Sequence, residues 1–377
     1  MENSTYLNRA RQLMDAFAGR TGLIDEQGDP ARRYLWTDAF AVQAFFGLSH
    51  ALREEKYRQQ AIRLIDLVHE HLGKFHPRDS REGWISGLDN DSGSLQPTVA
   101  GLRIGKKLPE RQEHESYNSR LEWERDGQYF HYLSRWMNTL LQAHKETKDQ
   151  NYLLHARDLF LATDKFIYGI GNGLAMYWKM DTQLSSPLVP SMGAHDPLEG
   201  LLCGMSLKNA IFEEDKEVET LIEKFRIMCR GKSWTTTDAL GIGGLLLNAA
   251  RAAELESFGM HLPASVQAGK LFRESMNSLR GLHGFGKDQN PNRRLAFREC
   301  GLSLGLHVAK ASENAIFDTS ASEGLTDYFY LASEIEEFWL NSEHRQAATW
   351  NDHLDINSVS LASSLIASEA PEVFSAI

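Results

Sequence analysis

The sequence predicts an all-α protein built from helical hairpins. Apolar residues recur at helical spacing in about twelve segments, and no strand-like alternation extends beyond a few residues. Amphipathic segments such as YRQQAIRLIDLVHEHL alternate with apolar segments rich in small residues, such as DAFAVQAFFGLSHAL and TDALGIGGLLLNAA. Short links between the segments also alternate with long ones. These observations predict helix pairs within one domain, residues 1–377, because no Pro-rich or Ser-rich linker divides the chain.

The predicted helices form two alternating sets. In chain order they span 3–18, 37–53, 55–73, 126–147, 150–168, 196–212, 214–230, 237–257, 262–281, 296–311, 322–341 and 355–369. The odd-numbered segments are amphipathic, as expected of helices that bury one face. The even-numbered segments are apolar and rich in small residues. Because small side chains let helices approach closely, we expect the even set to pack innermost.

The long links are expected to share one face of the fold. They lie at 19–36, 74–125, 169–195, 282–295 and 341–354. If six hairpins form a ring, all of these links fall on the face that also holds the N-termini of the inner helices. Helix N-termini offer free N–H groups and a partial positive charge to a ligand. The longest link, 74–125, is predicted to be functional, because long loops in compact domains usually carry function or are disordered.

The stretch RLEWERDGQYFHYLSRWM, residues 120–137, shows the predicted plan most clearly. Asp126 stands where a short polar side chain can cap the first turn of a helix. Beyond it, apolar and aromatic residues follow at helical spacing on more than one side, which predicts a helix buried on more than one side. Its start carries the aromatic and ionisable residues that a polar ligand pocket needs: Glu122, Trp123, Glu124, Arg125, Asp126 and His131.

Composition excludes several classes of protein. The formal net charge of −11 argues against a general nucleic-acid binder. Three widely spaced cysteines make a disulfide framework unexpected. The polar N-terminus and the lack of a long apolar run predict a cytoplasmic protein with no contact to a membrane. Neither an H-E-x-x-H motif, nor paired C-x-x-C motifs, nor a nucleotide-binding glycine loop is present, so neither a metal nor a cofactor is expected.

The pattern resembles a known superfamily. The helix alternation is similar to the (α/α)6 toroid of six-hairpin glycosidases and of the N-acylglucosamine 2-epimerase group. The stretches YLWTDAFAV, GWISGL, GLRIGKKLPER, RDGQYFHYLSRWM and PSMGAHDPLEG resemble a bacterial family within that superfamily. The resemblance covers nearly the whole chain and implies carbohydrate chemistry at the loop-rich mouth of the toroid. Since one fold hosts many functions, the residues themselves must indicate the activity.

Several ionisable residues stand at the starts of the inner helices. Glycoside cleavage needs a proton donor and a base or nucleophile, and carboxylates usually supply both. We therefore predict Asp38 or Asp126 as the general acid, Asp196 as the base and His195 as a proton carrier. The alternative is that these positions cap helices, with Thr37, Asp126, Asp196 and Thr237 as the N-caps. In a ring, one end would be lined by the following residues: Asp38, Asp126, Asp196, Asp238, Glu299 and His353.

Other side chains are predicted to bind the substrate. Acidic groups of a ligand would contact the cations Arg103, Lys106, Lys107 and Arg298. Sugar rings would stack on Trp36, Trp84, Trp123 and Trp178. Further binding residues are predicted to be Glu124, Tyr129, His131, Lys179, Glu199, Glu299 and His353. The alternatives are a solvated lid for the cations and core packing for the aromatic residues.

The sequence favours a glycoside hydrolase that acts on a short or anionic saccharide. One alternative is a sugar epimerase or isomerase, in which His195 would work together with His131 or His353. Another alternative is a saccharide-binding protein without catalysis. The expected partner is a small saccharide, and the sequence is also compatible with a homodimer.

Overall fold

A computed structural model describes residues 2–24, 27–111, 115–211, 213–282, 289–312 and 324–375, with side chains from Tyr6 onward. The remaining positions include parts of the links predicted at 19–36, 74–125 and 282–295, together with residue 212 and the start of the helix predicted at 322–341. Those parts of the predictions lie outside the described residues.

The described residues are mainly helical. The α-helices are α1 (Glu2–Arg20), α2 (Leu35–Leu52), α3 (Glu55–Leu72), α4 (Asn90–Leu95), α5 (Ser119–Glu124), α6 (Phe130–Thr147), α7 (Gln150–Ala162), α8 (Asp196–Ala210), α9 (Lys216–Cys229), α10 (Ala239–Ser257), α11 (Ala268–Arg280), α12 (Ala296–Ala311), α13 (Tyr330–Leu340), α14 (Ala348–Asn351), α15 (Leu354–Ala367) and α16 (Glu372–Ser375). Short 3-10 turns span Thr163–Phe166, Pro291–Arg293, Thr326–Tyr328 and His344–Gln346. The predicted all-α class is confirmed.

The strands are short and all antiparallel. They are β1 (Gln128–Tyr129), β2 (Ile167–Ile170), β3 (Gly173–Met176), β4 (Lys179–Met180) and β5 (Pro187–Val189). One sheet has the order β1–β4–β5, with Tyr129 opposite Lys179, and β2 pairs with β3 in a hairpin. The small sheet thus attaches the start of α6 to the segment that precedes α8.

The chain divides into two compact units. The first comprises Met1–Arg20, Phe40–Ala61 and Arg230–Ala376, and the second comprises Thr21–Ala39, Ile62–Cys229 and Ile377. The boundaries therefore fall within α2 and α3. A single domain over residues 1–377 stays a prediction.

In the first unit, α10 packs against α11 and α12, and α12 also packs against α13 and α15, which in turn contacts α1. Glycines allow the closest approach. A Cβ atom on Gly243 would overlap the backbone of Gly301, and one on Gly305 would lie 2.5 Å from the carbonyl oxygen of Gly243. The expectation that small residues let these helices approach closely is confirmed for α10 and α12.

In the second unit, α6 packs against α7 and α8, and α8 packs against α9. A Cβ atom on Gly200 would overlap the ring of Phe225, and one on Gly204 would lie 2.6 Å from Phe160. The indole of Trp136 is fully buried in α6 and donates a hydrogen bond to His69. Glycine-rich α8 therefore lies close to its neighbours and brings its first turn near α6.

The helix starts differ from those predicted. The N-caps of α6, α8 and α10 are Tyr129, His195 and Asp238, and α2 begins at Leu35. None of the four proposed caps (Thr37, Asp126, Asp196 and Thr237) occupies a cap position, so the capping interpretation is wrong. The link 74–125 contains two short helices, α4 and α5, and its apolar residues Leu102 and Ile104 are fully buried. It is a packed segment of the second unit.

Candidate functional site

Four aromatic side chains of the second unit surround a histidine. Ring centroids of Trp36, Tyr129, Tyr132 and Trp178 lie 4.7 to 6.0 Å from the centroid of His131. We call these five residues the His131 cluster. Trp36 comes from the start of α2, Tyr129 from β1, Trp178 from the residue before β4, and the other two from the first turn of α6. The small sheet and the helix starts therefore create the cluster together.

His131 is a neutral imidazole with a defined tautomer. The indole Nε1–H of Trp178 donates to Nδ1 of His131 at 2.9 Å, which leaves the ring proton on Nε2. Burial lowers the pKa of His131 to about 4, outweighing the opposite effect of the Glu199 carboxylate. Among the described residues, Nε2 has no hydrogen-bond partner. His131 therefore presents an N–H donor to a ligand at neutral pH.

Glu199 connects the cluster to α8. Its carboxylate accepts hydrogen bonds from Nη2 of Arg135 at 2.8 Å and from Oγ of Ser134 at 2.6 Å. Burial alone would raise the pKa of Glu199, but Arg135 and Ser134 bring it below its ordinary value. The same guanidinium lies 5.5 Å from the ring centroid of Trp36. Glu199 is thus a buried, ionised carboxylate beside the cluster.

Asp196 has the opposite protonation state. Its carboxyl turns back onto the preceding loop, where Oδ2 accepts the backbone N–H of Gly193 at 3.0 Å, and the residue is only 4% exposed. Burial and the nearby Glu199 carboxylate raise the pKa of Asp196 to about 8. At neutral pH the carboxyl holds its proton. This suits a proton donor rather than the base that the sequence suggested.

Three further predicted residues lie near this site. The half-buried His195 precedes α8 and interacts electrostatically with Glu199. The ring of Trp123 packs edge-on against Trp178 at 5.4 Å and is 41% exposed. Glu124 is exposed, and its charge contributes to the raised pKa of Tyr129, so its carboxylate lies near the cluster. No described residue forms an ion pair or hydrogen bond with that carboxylate. Together they place an open, polar and aromatic edge on the cluster.

Asp126 and Arg103 have structural roles. Asp126 is 0% exposed and accepts the backbone N–H groups of Gly105 at 3.0 Å and Gly127 at 3.1 Å. Its other oxygen pairs with the buried Arg103, which also donates to the carbonyl of Lys74. These bonds hold the segment 101–105 in place. Asp126 as general acid and Arg103 as a ligand contact stay predictions, since both groups already have partners inside the protein.

Two other predicted residues are also buried and have partners inside the protein. Asp38 is 1% exposed, forms an ion pair with Arg33 and accepts the backbone N–H of Tyr34 at 3.0 Å. Trp84 is 4% exposed and is covered by the Lys74 ammonium group. Both side chains thus have partners inside the protein, and their roles as general acid and stacking surface stay predictions.

Lys179 is likewise buried. It donates to the carbonyls of Glu122 at 2.5 Å and Arg125 at 2.6 Å, and burial lowers its pKa to about 8. It anchors α5 to the sheet, and its role in substrate binding stays a prediction.

The remaining predicted residues fall into two groups. Lys106 is half-buried and Lys107 is exposed in the second unit. In the first unit, Arg298 pairs with Asp238, and His353 is exposed. That these residues bind the ligand stays a prediction, as does the expectation that the inner-helix acids and His353 line one end of a ring.

Glu299 in the first unit is a different case. Its carboxylate is held by Nη2 of Arg294 at 2.7 Å and by the indole of Trp339 at 2.8 Å, and the residue is 7% exposed. Both donors are buried residues of that unit. That Glu299 binds a substrate stays a prediction.

Sequence reasoning missed three residues of the site. Tyr132, Ser134 and Arg135 follow His131 on α6, and positions 131, 134 and 135 share one helix face. That spacing was the signal that could have identified them. It did not show that Glu199, more than sixty residues later, would lie opposite the same face.

No protein-family model matches the chain, and no curated protein matches its sequence. Solved structures do match. An inactive variant of an alpha-1,6-mannanase of Salegentibacter, in complex with alpha-1,6-mannotriose, is 12% identical, covers 97% of this chain and 100% of that chain, and has a TM-score of 0.54. A sugar epimerase from a ruminal bacterium is 10% identical, covers 89% and 87% of the two chains, and has a TM-score of 0.53.

A third match is the cellobiose 2-epimerase of Spirochaeta thermophila, 12% identical, with coverage of 95% and 97% and a TM-score of 0.51. Among the described helices, none has the length and apolar character needed to cross a membrane. In the same residues, no group of three His, Cys, Asp or Glu side chains is arranged to hold a metal ion. At these identities the matches establish fold alone, and the chain has the (α/α)6 toroid fold that the sequence predicted.

Proposed function

We propose that this protein is a carbohydrate-active enzyme of the glycoside-hydrolase type. The observation that carries the proposal is the carboxyl pair Asp196 and Glu199 on the first turn of α8, next to the His131 cluster. Glu199 is fixed by Arg135, and the Asp196 carboxyl is fixed by the backbone of Gly193. The first turn of α8 therefore offers a proton donor and an ionised carboxylate together.

Their opposite environments match the two roles of glycoside cleavage. One carboxylic acid must protonate the leaving oxygen while a carboxylate assists attack on the sugar carbon. Asp196 keeps its proton at neutral pH, while Arg135 and Ser134 keep Glu199 ionised. Residues three apart on a helix have Cβ atoms about 5–6 Å apart. The pair is therefore close enough to act on one bond.

The aromatic cluster supplies the binding surface. Trp36, Tyr129 and Trp178 offer ring faces and edges, and Nε2–H of His131 can donate to a sugar oxygen. Trp123 and Glu124 extend the site to solvent. The mannanase of the same fold was solved with a bound trisaccharide, which supports a short saccharide here. An acidic saccharide, a cytoplasmic location and a homodimer belong to this proposal and rest on the sequence.

The catalytic residues would differ from those of the mannanase. In its inactive variant, two consecutive aspartates were changed to asparagine. The present sequence contains no two consecutive aspartates. Asp196 and Glu199 would therefore fulfil the acid and base roles from a different position.

A sugar epimerase is the second candidate. It is favoured by one observation, namely that both His131 and His195 interact electrostatically with Glu199. An epimerase needs a base that accepts a proton from carbon, however. The low pKa of His131 and its hydrogen bond from Trp178 make it a poor proton acceptor. The carboxyl pair fits hydrolysis better.

The deciding experiment is a substrate screen with product analysis. Neutral and acidic oligosaccharides, including alpha-1,6-mannooligosaccharides and cellobiose, are incubated in H₂¹⁸O and separately in D₂O. Incorporation of ¹⁸O into shortened products supports hydrolysis, whereas deuterium at the carbon next to the anomeric centre identifies an epimerase. Binding by calorimetry without either product identifies a saccharide-binding protein and overturns the proposal.

A pair of variants tests the assigned residues. Asp196→Asn should lower turnover by at least ~100-fold, the range expected for a general acid. Asp149→Asn is the matched control, since Asp149 caps α7 through the N–H of Asn151 at 2.9 Å and asparagine caps equally well. Equal activity of the two variants would remove Asp196 from the mechanism.

A further inference from the structure

A basic cavity lies in the first unit. It has a volume of about 230 Å³ and is lined by α1 and by the segment from α13 to α15. Its polar and aromatic lining includes Arg9, Gln12, Arg20, Arg345, Trp350 and Ser358. One water molecule needs only ~15 Å³ on such a measure, so the cavity can hold a polyatomic ion with part of an attached molecule. None of these residues belongs to the His131 cluster.

The arginines of this cavity are incompletely paired. Among the described side chains, the carboxylate that neutralises them is Asp355, bound to Nε of Arg20 at 3.0 Å. Within the described residues, Arg9 donates to the amide oxygen of Gln12 at 3.3 Å and forms no ion pair. Arg345 donates to the carbonyl of Leu340 at 3.4 Å, which is a weak contact. Three guanidinium groups and one carboxylate leave a formal charge of about +2, counted at neutral pH.

Two buried donors have no partner. Nη2 of Arg20 and Nε of Arg345 are shielded from solvent and form no hydrogen bond with the described residues. Leaving a buried charged donor unsatisfied is costly, so such donors usually indicate an absent ligand or water. Burial lowers the pKa of Arg345, and the like charge of the nearby Arg9 lowers it further. An anion in the cavity would remove both costs.

We propose that this cavity binds a phosphate group. Guanidinium groups form bidentate hydrogen bonds with phosphate oxygens. A phosphate dianion balances a charge of about +2, whereas a single carboxylate would leave half of it uncompensated. The phosphate could be free or carried by a small molecule such as a sugar. Trp350, at 5.9 Å from the Arg345 guanidinium, offers an aromatic wall beside the anion.

The test measures binding of inorganic phosphate and of a hexose 6-phosphate to the full chain by calorimetry, at constant ionic strength. The variants are Arg345→Gln and Arg9→Gln, the second at an exposed position where folding should be unaffected. The control is Arg11→Gln, which removes the same charge from α1 outside the cavity. Circular dichroism confirms that each variant is folded.

We expect both cavity variants to raise the phosphate dissociation constant tenfold or more, as for loss of a hydrogen bond to a charged group, while Arg11→Gln changes it by less than threefold. Tighter binding of the hexose phosphate identifies a phosphorylated sugar as the ligand, and equal binding identifies the free ion. The proposal is overturned if the parent protein binds neither compound at millimolar concentration, or if all three variants weaken binding equally.

Discussion

The Asp196→Asn variant should become increasingly more stable than the parent protein as the pH rises. The folded state holds the Asp196 proton up to a pKa of about 8, whereas the ordinary value is 3.8. Between these values the unfolded chain has released the proton and the folded chain has not. The folded state therefore loses stability relative to the unfolded state as the pH increases from ~4 to ~8, by about 1.4 kcal/mol per pH unit.

Asparagine removes this dependence without changing the shape of the side chain. Its amide oxygen can still accept the N–H of Gly193. The unfolding free energy of the variant minus that of the parent should increase by on the order of 4 kcal/mol between pH 4 and pH 7, because 7 minus 3.8 is about three units at 1.4 kcal/mol each. Its activity should fall by at least ~100-fold, since amides do not donate a proton to a leaving group.

The assay is urea unfolding of parent and variant at pH 5, 6, 7 and 8. The difference in unfolding free energy should widen steadily with pH at unchanged m-values. Asp149→Asn, at an exposed cap, should give a difference that stays constant. A constant difference for Asp196→Asn as well would mean that its carboxyl is ionised in the folded protein, and the assignment of Asp196 as proton donor would fail.

Three other changes give separate tests. Glu199→Gln leaves the buried Arg135 without its carboxylate and should cost about 3–5 kcal/mol at pH 7. Because the folded-state pKa of Glu199 is lowered, this cost should shrink as the pH falls below the ordinary value of 4.5, which urea unfolding over an acidic pH series would show; a cost independent of pH would contradict it. Gly101→Ala should destabilise the protein by at least ~1 kcal/mol more than Gly83→Ala. Both glycines have a φ near +80°, but only at Gly101 would the new methyl group meet a neighbouring side chain. Equal losses of melting temperature in the two variants would refute this. Trp123→Ala should leave stability nearly unchanged because the ring is 41% exposed, yet weaken saccharide binding about tenfold or less in calorimetry, and unaltered binding would exclude it from the site.

The sequence predicted the helices well because their signal is local. Apolar spacing and glycine-rich segments act within a few turns, and both the all-α class and the close approach of α10 and α12 followed from them. Helix starts were harder to predict. Asp126 has the chemistry of a cap, but its carboxyl pairs with Arg103 and with backbone groups of a distant segment. Such a partner cannot be inferred from neighbouring residues.

The sequence indicated which side chains gather near the helix starts, but it did not indicate which of them the fold buries against partners. Trp36, Tyr129 and His131 stand at or beside the starts of α2 and α6, Trp178 precedes β4, and the structure brings the four together. Lys179 was chosen for its charge, yet the fold buries it against backbone carbonyls. Composition reveals which groups are ionisable. It does not reveal which of them the tertiary fold has already paired.

The toroid fold occurs in both a mannanase and sugar epimerases, so fold does not decide between hydrolysis and epimerisation. The protonation states of the site favour the hydrolysis proposed above. An epimerase needs a basic nitrogen facing carbon, and in this site the exposed nitrogen of His131 carries the proton, because the Trp178 indole occupies the other one. A hydrolase needs a carboxylic acid beside a carboxylate. Asp196 and Glu199 have that relation. The first turn of α8 buries the Asp196 carboxyl without a cation beside it, whereas the Glu199 carboxylate pairs with Arg135. The pairing of Arg135 with Glu199 and not with Asp196 therefore separates their roles.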